Sequence, residues 1–336
     1  MLPCGSVGDA ADGTVQAAGG DGRRGKLASV QFGPSVARRF RGPGEVRQIF
    51  EEIGMIAPAL GLMLVFLVGP FCLSFWTALT NQPLMPRPTP VRFIGLTNFQ
   101  RVLSDPTFWT ALWNVIRFTL MVLPLQCGFA FFMALLLNQK FPLRNLCRAV
   151  LFLPAITSMV VVCVIWGTIF QFPAGPLNTI LATFSGGWLG PVDWLGDPAW
   201  AMVSLVLLSA WHAFGFQMMI YLAALQSIPD ELYEAAQMDG AGVAGQFWHV
   251  TVPSLWATHV FVLLITTIQA LKLFTQVNIL TQGGPALSTE TVVHYMVQTG
   301  FVEQKLGYAD AVSVVLFVII LAVALLQRII LRPFDV

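Results

Sequence analysis

Six stretches of the chain are apolar almost without interruption, at roughly residues 55–80, 111–137, 149–171, 201–226, 256–278 and 310–331. Each is long enough to cross a bilayer as a helix, which takes about 20 residues. A lone strand in lipid would leave its backbone N–H and C=O groups unpaired, so helix is the expected form. None shows the ten-residue alternation of an outer-membrane barrel strand. The pattern predicts an all-α polytopic bundle of six transmembrane helices. It breaks once in the middle: Gln226 to Ser254, between spans four and five, is polar and helix-forming.

Composition supports lipid as the solvent. Of 336 residues, 56% are hydrophobic and only 10% charged, against about 25% charged in soluble domains. A net charge of +1 excludes a nucleic-acid partner, which would need a basic surplus. Cys4, Cys72, Cys127, Cys147 and Cys163 form no close pair. They read as buried apolar filler, with neither a disulfide framework nor a zinc site.

Lys and Arg set the direction of threading. Arg23, Arg24, Lys26, Arg38, Arg39, Arg41 and Arg47 precede the first span. Lys140, Arg144 and Arg148 follow the second, and Arg328 and Arg332 follow the sixth. The other side holds Arg87, Arg92, Arg101 and Lys305. The excess places both termini in the cytoplasm. The 226–254 insert then falls there too, by the count of spans, since it carries no Lys or Arg of its own. Residues 1–44 read as a disordered cytoplasmic tail and 45–336 as the transmembrane domain. The tail is not expected to be a signal peptide, because no short apolar core follows its basic residues. Within it Gly20 to Lys26 nearly matches a nucleotide-binding P-loop. Leu27 replaces the hydroxyl residue that would hold magnesium, and no strand precedes it. Nucleotide binding is therefore assigned to another chain.

The insert reads as a short helix. Ser227 is placed to cap a helix starting at Ile228 or Pro229. Asp230, Glu231 and Glu234 lie near its positive end, and Gly240 and Gly242 are placed to end it. The sequence Glu234-Ala235-Ala236, then Gly240, Val250, Val252 and Pro253, resembles the EAA loop of permeases from ATP-binding-cassette (ABC) importers. Phe93-Ile94-Gly95-Leu96-Thr97-Asn98-Phe99, Asp105-Pro106, Leu280-Thr281-Gln282-Gly283-Gly284-Pro285 and Gly307-Tyr308-Ala309-Asp310-Ala311 extend the likeness over roughly residues 50–330. The subfamily is the carbohydrate type, typified by the maltose permease larger subunit and the glycerol-3-phosphate permease.

That resemblance implies a multi-pass subunit of the bacterial inner membrane, working by alternating access. Its partners would be a second homologous permease, two ATPase subunits that bind ATP and magnesium, and an external solute-binding protein. The coupling residues it implies, in the loop 227–254, are Glu234, Ala235, Ala236, Asp239, Gly240 and Pro253. The chain itself would catalyse nothing and carry no cofactor and no metal.

Sugars present apolar faces and polar rims, so their sites combine aromatic surfaces with amides and hydroxyls. Trp211 and Gln217 in span four and Gln269, Lys272, Gln276 and Asn278 in span five are the substrate-pathway candidates by type and depth. Interhelical hydrogen bonding accounts for the same polar residues equally well. His212 reads as a packing or partner-bonding residue. Arg117 and Lys272 could meet an anionic solute or snorkel to the interface, which keeps glycerol-3-phosphate or another anionic polyol as an alternative. An ion-coupled secondary transporter would want buried carboxylates, and only Asp310 at the edge of span six offers one. An integral membrane enzyme would need catalytic groupings that spans two to five lack.

Overall fold

A computed structural model describes residues 54–86, 90–188 and 190–331. The tail 1–44 with its P-loop-like stretch, Cys4, the seven leading basic residues, Arg87 and Arg332 lie outside the described residues. The chain divides after Leu60, and the helical bundle is the unit Gly61–Val336. Among the described residues the only β feature is a bridge between Thr80 and Phe93.

Four helices are each long and apolar enough to cross a bilayer: α1 (Gly54–Ala78), α3 (Pro106–Asn138), α7 (Pro198–Gln226) and α12 (Leu306–Ile330). The short α2 (Thr97–Leu103) precedes α3. Both α3 and α7 begin with Asp-Pro. Asp105 accepts from the Thr107 N–H at 2.8 Å and Asp197 from the Ala199 N–H at 2.9 Å, with proline in the first turn.

The third and fifth spans are each broken in two, where the sequence predicts one helix apiece. The third is a pair, α4 (Arg144–Ile156) and α5 (Met159–Ile169), bent by 97°. Pro154 lies in the last turn of α4, and Thr157 is extended. The freed Thr157 carbonyl accepts from His212 Nε2 at 3.1 Å, so the bend is satisfied from α7. Outside α5 the chain forms α6 (Pro176–Ser185). The fifth span is also a pair, α9 (Val243–Ser254) and α10 (Trp256–Leu271), bent by 61°. Pro253 and the π-helical turn Phe247–Thr251 fall just before that bend. The expected continuation to 278 fails as well. α10 stops at Leu271, Lys272 to Phe274 are irregular, and a π-helical turn spans Val277–Thr281. α11 (Val292–Val297) then leads to α12.

Packing fixes the relative directions. Phe118 and Val122 of α3 meet Met202, Leu205 and Val206 of α7, and Ala130, Ala134 and Leu137 meet Met218, Leu222 and Leu225. The two helices therefore run parallel. Phe108, Ala111 and Val115 pack with Ala311, Val312 and Leu316, so α12 is parallel to them. Phe71 meets Phe317 edge to face at 4.9 Å and Thr77 bonds Asp310, so α1 runs the opposite way. Parallel α3, α7 and α12 are what alternating threading of six spans requires. The Asp-Pro starts share one end of the bundle, and the chain after Gln226 emerges at the other.

There lies α8 (Asp230–Met238), the helix expected in the insert. Its start differs from expectation. Pro229 is the cap position and no side chain caps it, whereas Ser227 Oγ donates back to the Ala224 carbonyl at 2.7 Å and closes α7. Gly240, at φ +81°, ends the helix, while Gly242 is extended and begins α9. Of the cysteines, Cys127 and Cys163 are buried as expected. Cys72 is exposed on α1 instead, on a helix whose most apolar window buries nothing within the chain.

Candidate functional site

α3, the α4–α5 bend, α7 and α10 enclose a cavity of about 400 Å³, inside the range of about 300–1,000 Å³ for small-molecule sites. Backbone contact shapes it. Gly215 lies so close to α4 that an added Cβ would stand 2.4 Å from the Leu151 carbonyl oxygen. Only glycine allows that approach. The approach brings Phe152, Ala155 and Met159 to the cavity wall.

Its polar lining is Gln126, Ser209, His212, Thr266, Gln269 and Gln276. Gln276 Nε2 donates to Ser209 Oγ at 3.2 Å. Thr266 Oγ1 donates to the Val262 carbonyl at 2.7 Å and accepts from Gln217 Nε2 at 2.8 Å. His212 donates through Nε2 to the Thr157 carbonyl, which in the neutral ring leaves Nδ1 as an acceptor. Gln126 is only 3% exposed and has no partner among the described residues. Its amide lines the cavity, where it is available to a ligand as both donor and acceptor. Phe118, Phe152 and Phe216 supply the apolar faces. No charged side chain lines the cavity.

The sequence candidates divide here. Gln269 and Gln276 line the cavity. Gln217 is buried one layer behind, reaching the wall through Thr266. Trp211 points elsewhere, half-exposed against Trp166 at 5.5 Å. Lys272 and Asn278 are exposed outside the lining, as is Arg117. Sequence reasoning misses Gln126, Ser209 and Thr266. Gln126 carries the same signal that flags Gln269, an amide inside an apolar run.

The second region is α8. Glu234, Ala235, Asp239, Gly240 and Pro253 are exposed, and Ala236 is half-buried. No residue of α8 is buried. Leu232 is 47% exposed, and the neighbouring Met238 and Val243 are 89% and 86% exposed. One hydrogen bond ties this helix to α9: Tyr233 Oη to Thr251 Oγ1, 3.0 Å apart. An added Cβ on Gly240 would meet nothing within 4 Å, so its glycine requirement is the positive φ alone.

The sequence profile of the family described as "Binding-protein-dependent transport system inner membrane component" matches residues 126–335. The chain belongs to that family. It is 36% identical over 275 residues to the arabinooligosaccharides transport system permease protein AraP of Bacillus subtilis, covering 81% of this chain and 85% of the relative. Over 278 residues it is 36% identical to the lactose transport system permease protein LacF of Rhizobium radiobacter, covering 81% and 90%. A solved bacterial ABC transporter involved in the import of the acidic polysaccharide alginate shares its fold. The TM-score is 0.72 at 22% identity, covering 87% of this chain and 99% of that one. This permease is thus a multi-pass transport subunit of the inner membrane. The α8 helix and the cavity lining from Gln126 onward fall inside the matched residues, while Phe118 and Val122 precede them.

Proposed function

We propose that this permease forms one half of the membrane pathway of an ATP-driven importer for an uncharged sugar or oligosaccharide. The observation that carries the reading is the cavity lining: amides, hydroxyls, an imidazole and phenylalanine faces, with no charge. Each sugar hydroxyl both donates and accepts, and amides and hydroxyls answer both needs. Arg117 and Lys272, the cations that would suit an anionic polyol, lie outside the cavity. The arabinooligosaccharide and lactose permeases among the relatives favour the same substrate class.

On this reading the end of the bundle bearing α8 faces the cytoplasm, with both chain termini. A separate ATPase pair binds ATP and magnesium and grips α8 around Glu234, Ala235 and Ala236. A second, homologous permease completes the cavity, and an external binding protein delivers the sugar at the opposite end. The alginate importer has been solved with a substrate-bound periplasmic protein. ATP binding closes the ATPases, and α8 carries that motion through α9 and Tyr233–Thr251 into α10. The cavity then opens outward, and hydrolysis resets it.

The test is ATPase activity of the reconstituted assembly in liposomes, with the binding protein and a panel of sugars. One sugar is expected to stimulate hydrolysis. Glu234→Ala and Gly240→Pro should abolish that stimulation although the protein inserts, since proline holds φ near −65° and residue 240 needs +81°. Purification without an ATPase, with sugar flux indifferent to ATP, would overturn the reading in favour of secondary transport.

A further inference from the structure

A second cavity, of about 320 Å³, opens at the end of the bundle opposite α8. Its residues come from elements far apart in sequence: the link before α2, Asn98 and Arg101 of α2 itself, the start of α3, α11, the link into α12 and the first turn of α12. The links are joined by backbone bonds, Leu84 N–H to the Gln304 carbonyl at 3.1 Å and Gly307 N–H to the Gln82 carbonyl at 2.9 Å. At Gly307 an added Cβ would lie 2.3 Å from the Thr80 carbonyl oxygen. The cavity is therefore framed by close backbone contact and is not a loose gap between loops.

At its floor the Asp105 carboxylate gathers two tyrosines. Tyr308 Oη donates to Oδ2 at 2.6 Å, Tyr295 Oη donates to the same oxygen, and the Thr107 N–H holds Oδ1 at 2.8 Å. Both phenol protons are committed to the carboxylate, so the phenol oxygens are left as acceptors. Around this floor Lys305 is paired with Glu303 at 2.8 Å. Arg101 has no hydrogen-bond or ion-pair partner among the described residues, and its five N–H donors are free.

The charged lining is thus Arg101 and Lys305 against Asp105 and Glu303. The signs cancel, which selects neither a cation nor an anion. It suits a neutral ligand whose groups donate and accept together, with tyrosine rings for its apolar face. We propose that this cavity is an outer sugar subsite, holding a saccharide at the mouth of the permease before it reaches the membrane cavity. The proposal rests on the sugar-importer reading and on the sidedness given there. An acidic or basic side chain from a docking protein is the competing occupant, and the balanced lining disfavours it.

The test uses the whole assembly in lipid nanodiscs. Diazirine derivatives of lactose, maltose and arabinobiose are photolysed on it, and adducts are mapped by peptide mass spectrometry. Adducts are expected on peptides holding residues 81–105 and 295–308 as well as on those lining the membrane cavity. Arg101→Ala should lower the outer adducts about tenfold, the effect of losing hydrogen bonds from one charged group, and leave the inner ones in place. Tyr308→Phe should also lower them. Labelling confined to the membrane cavity, with the sugar still stimulating ATP hydrolysis, overturns the outer subsite and leaves the importer standing. Outer adducts indifferent to both variants overturn it too, as nonspecific surface labelling. Failure of all three sugars to label either cavity or to stimulate hydrolysis overturns both readings.

Discussion

α7 and α8 are neighbours in sequence and opposites in structure. α7 buries Met202, Leu205, Leu208, Phe214, Met218 and Tyr221 among many others, and its glycine touches the backbone of α4. Beyond Ser227, Ile228 and Pro229, α8 buries none and leaves Leu232 open, with one side-chain hydrogen bond to the other described residues. α7 is completed inside this chain. α8 displays a surface that the described residues do not cover. On the proposed function, that difference separates the part that shapes the pathway from the part that meets the ATPase. Changes in the first should act on folding, and changes in the second on coupling alone.

The strongest way to break that division is at Gly215. Gly215→Ala puts a Cβ 2.4 Å from the Leu151 carbonyl oxygen, and backbone on both sides leaves nothing to swing aside. The expected cost is about 1–3 kcal/mol for overpacking, read as a lower Tm of the purified protein and loss of stimulated ATPase activity. Gly128→Ala in α3, where an added Cβ meets nothing within 4 Å, should leave Tm level or slightly raised, since alanine favours helix. Equal Tm losses at both would mean the α4–α7 approach is not specific.

Gly240→Ala comes next. With no neighbour to strike, its whole cost is the positive φ, roughly 1–2 kcal/mol. The loop should distort while Tm holds, with sugar-stimulated ATPase activity falling about tenfold. A matching drop in Tm would show that α8 belongs to the folded core after all.

The hydrophobic pattern makes the spans legible because lipid forces helices of about 20 residues on any chain that crosses it. The breaks are not legible, because they are settled from a distance. Pro154 is visible in the sequence, but the bend also needs Gly215 to admit α4 and His212 to bond the Thr157 carbonyl, 55 residues away. Ser227 misleads for a related reason: either of two adjacent helices could claim its hydroxyl, and the preceding one does. In the cavity, Gln269 and Gln276 stand out as amides in apolar surroundings. Trp211 is a candidate by type and depth, but which face of a uniformly apolar helix it occupies has no signal in the pattern. Asp105 and Tyr308 stand in separate family-like segments, and a sequence separation of 203 hides their hydrogen bond.

A smaller effect is expected where α8 meets α9. Tyr233→Phe removes one hydroxyl partner of Thr251 and keeps the ring, so the loss is about 1 kcal/mol. It should appear as weaker coupling, fewer sugars moved per ATP hydrolysed, with ATPase docking intact. Unchanged coupling would mean that motion passes from α8 through backbone alone.

The smallest effect is a pH dependence at the far end. Burial pushes the Asp105 carboxyl up, but the hydroxyls of Tyr295 and Tyr308 and the N–H groups of Thr107 and Phe108 outweigh it and hold the pKa below the ordinary 3.8. Burial first, and then Asp105 itself, raise the Tyr295 hydroxyl to about 12, so it stays protonated and keeps donating through the neutral range. A carboxylate with a depressed pKa binds fewer protons folded than unfolded near its transition. Its stabilisation is therefore complete above 3.8 and is lost as pH falls through the lower folded value. The Tm advantage of wild type over Asp105→Asn should be constant between about pH 5 and 8, and should shrink only in more acid solution. A gap that instead closes near neutrality would mean the carboxyl is protonated in the folded protein, and the floor of the outer cavity would then present a donor in place of a charge.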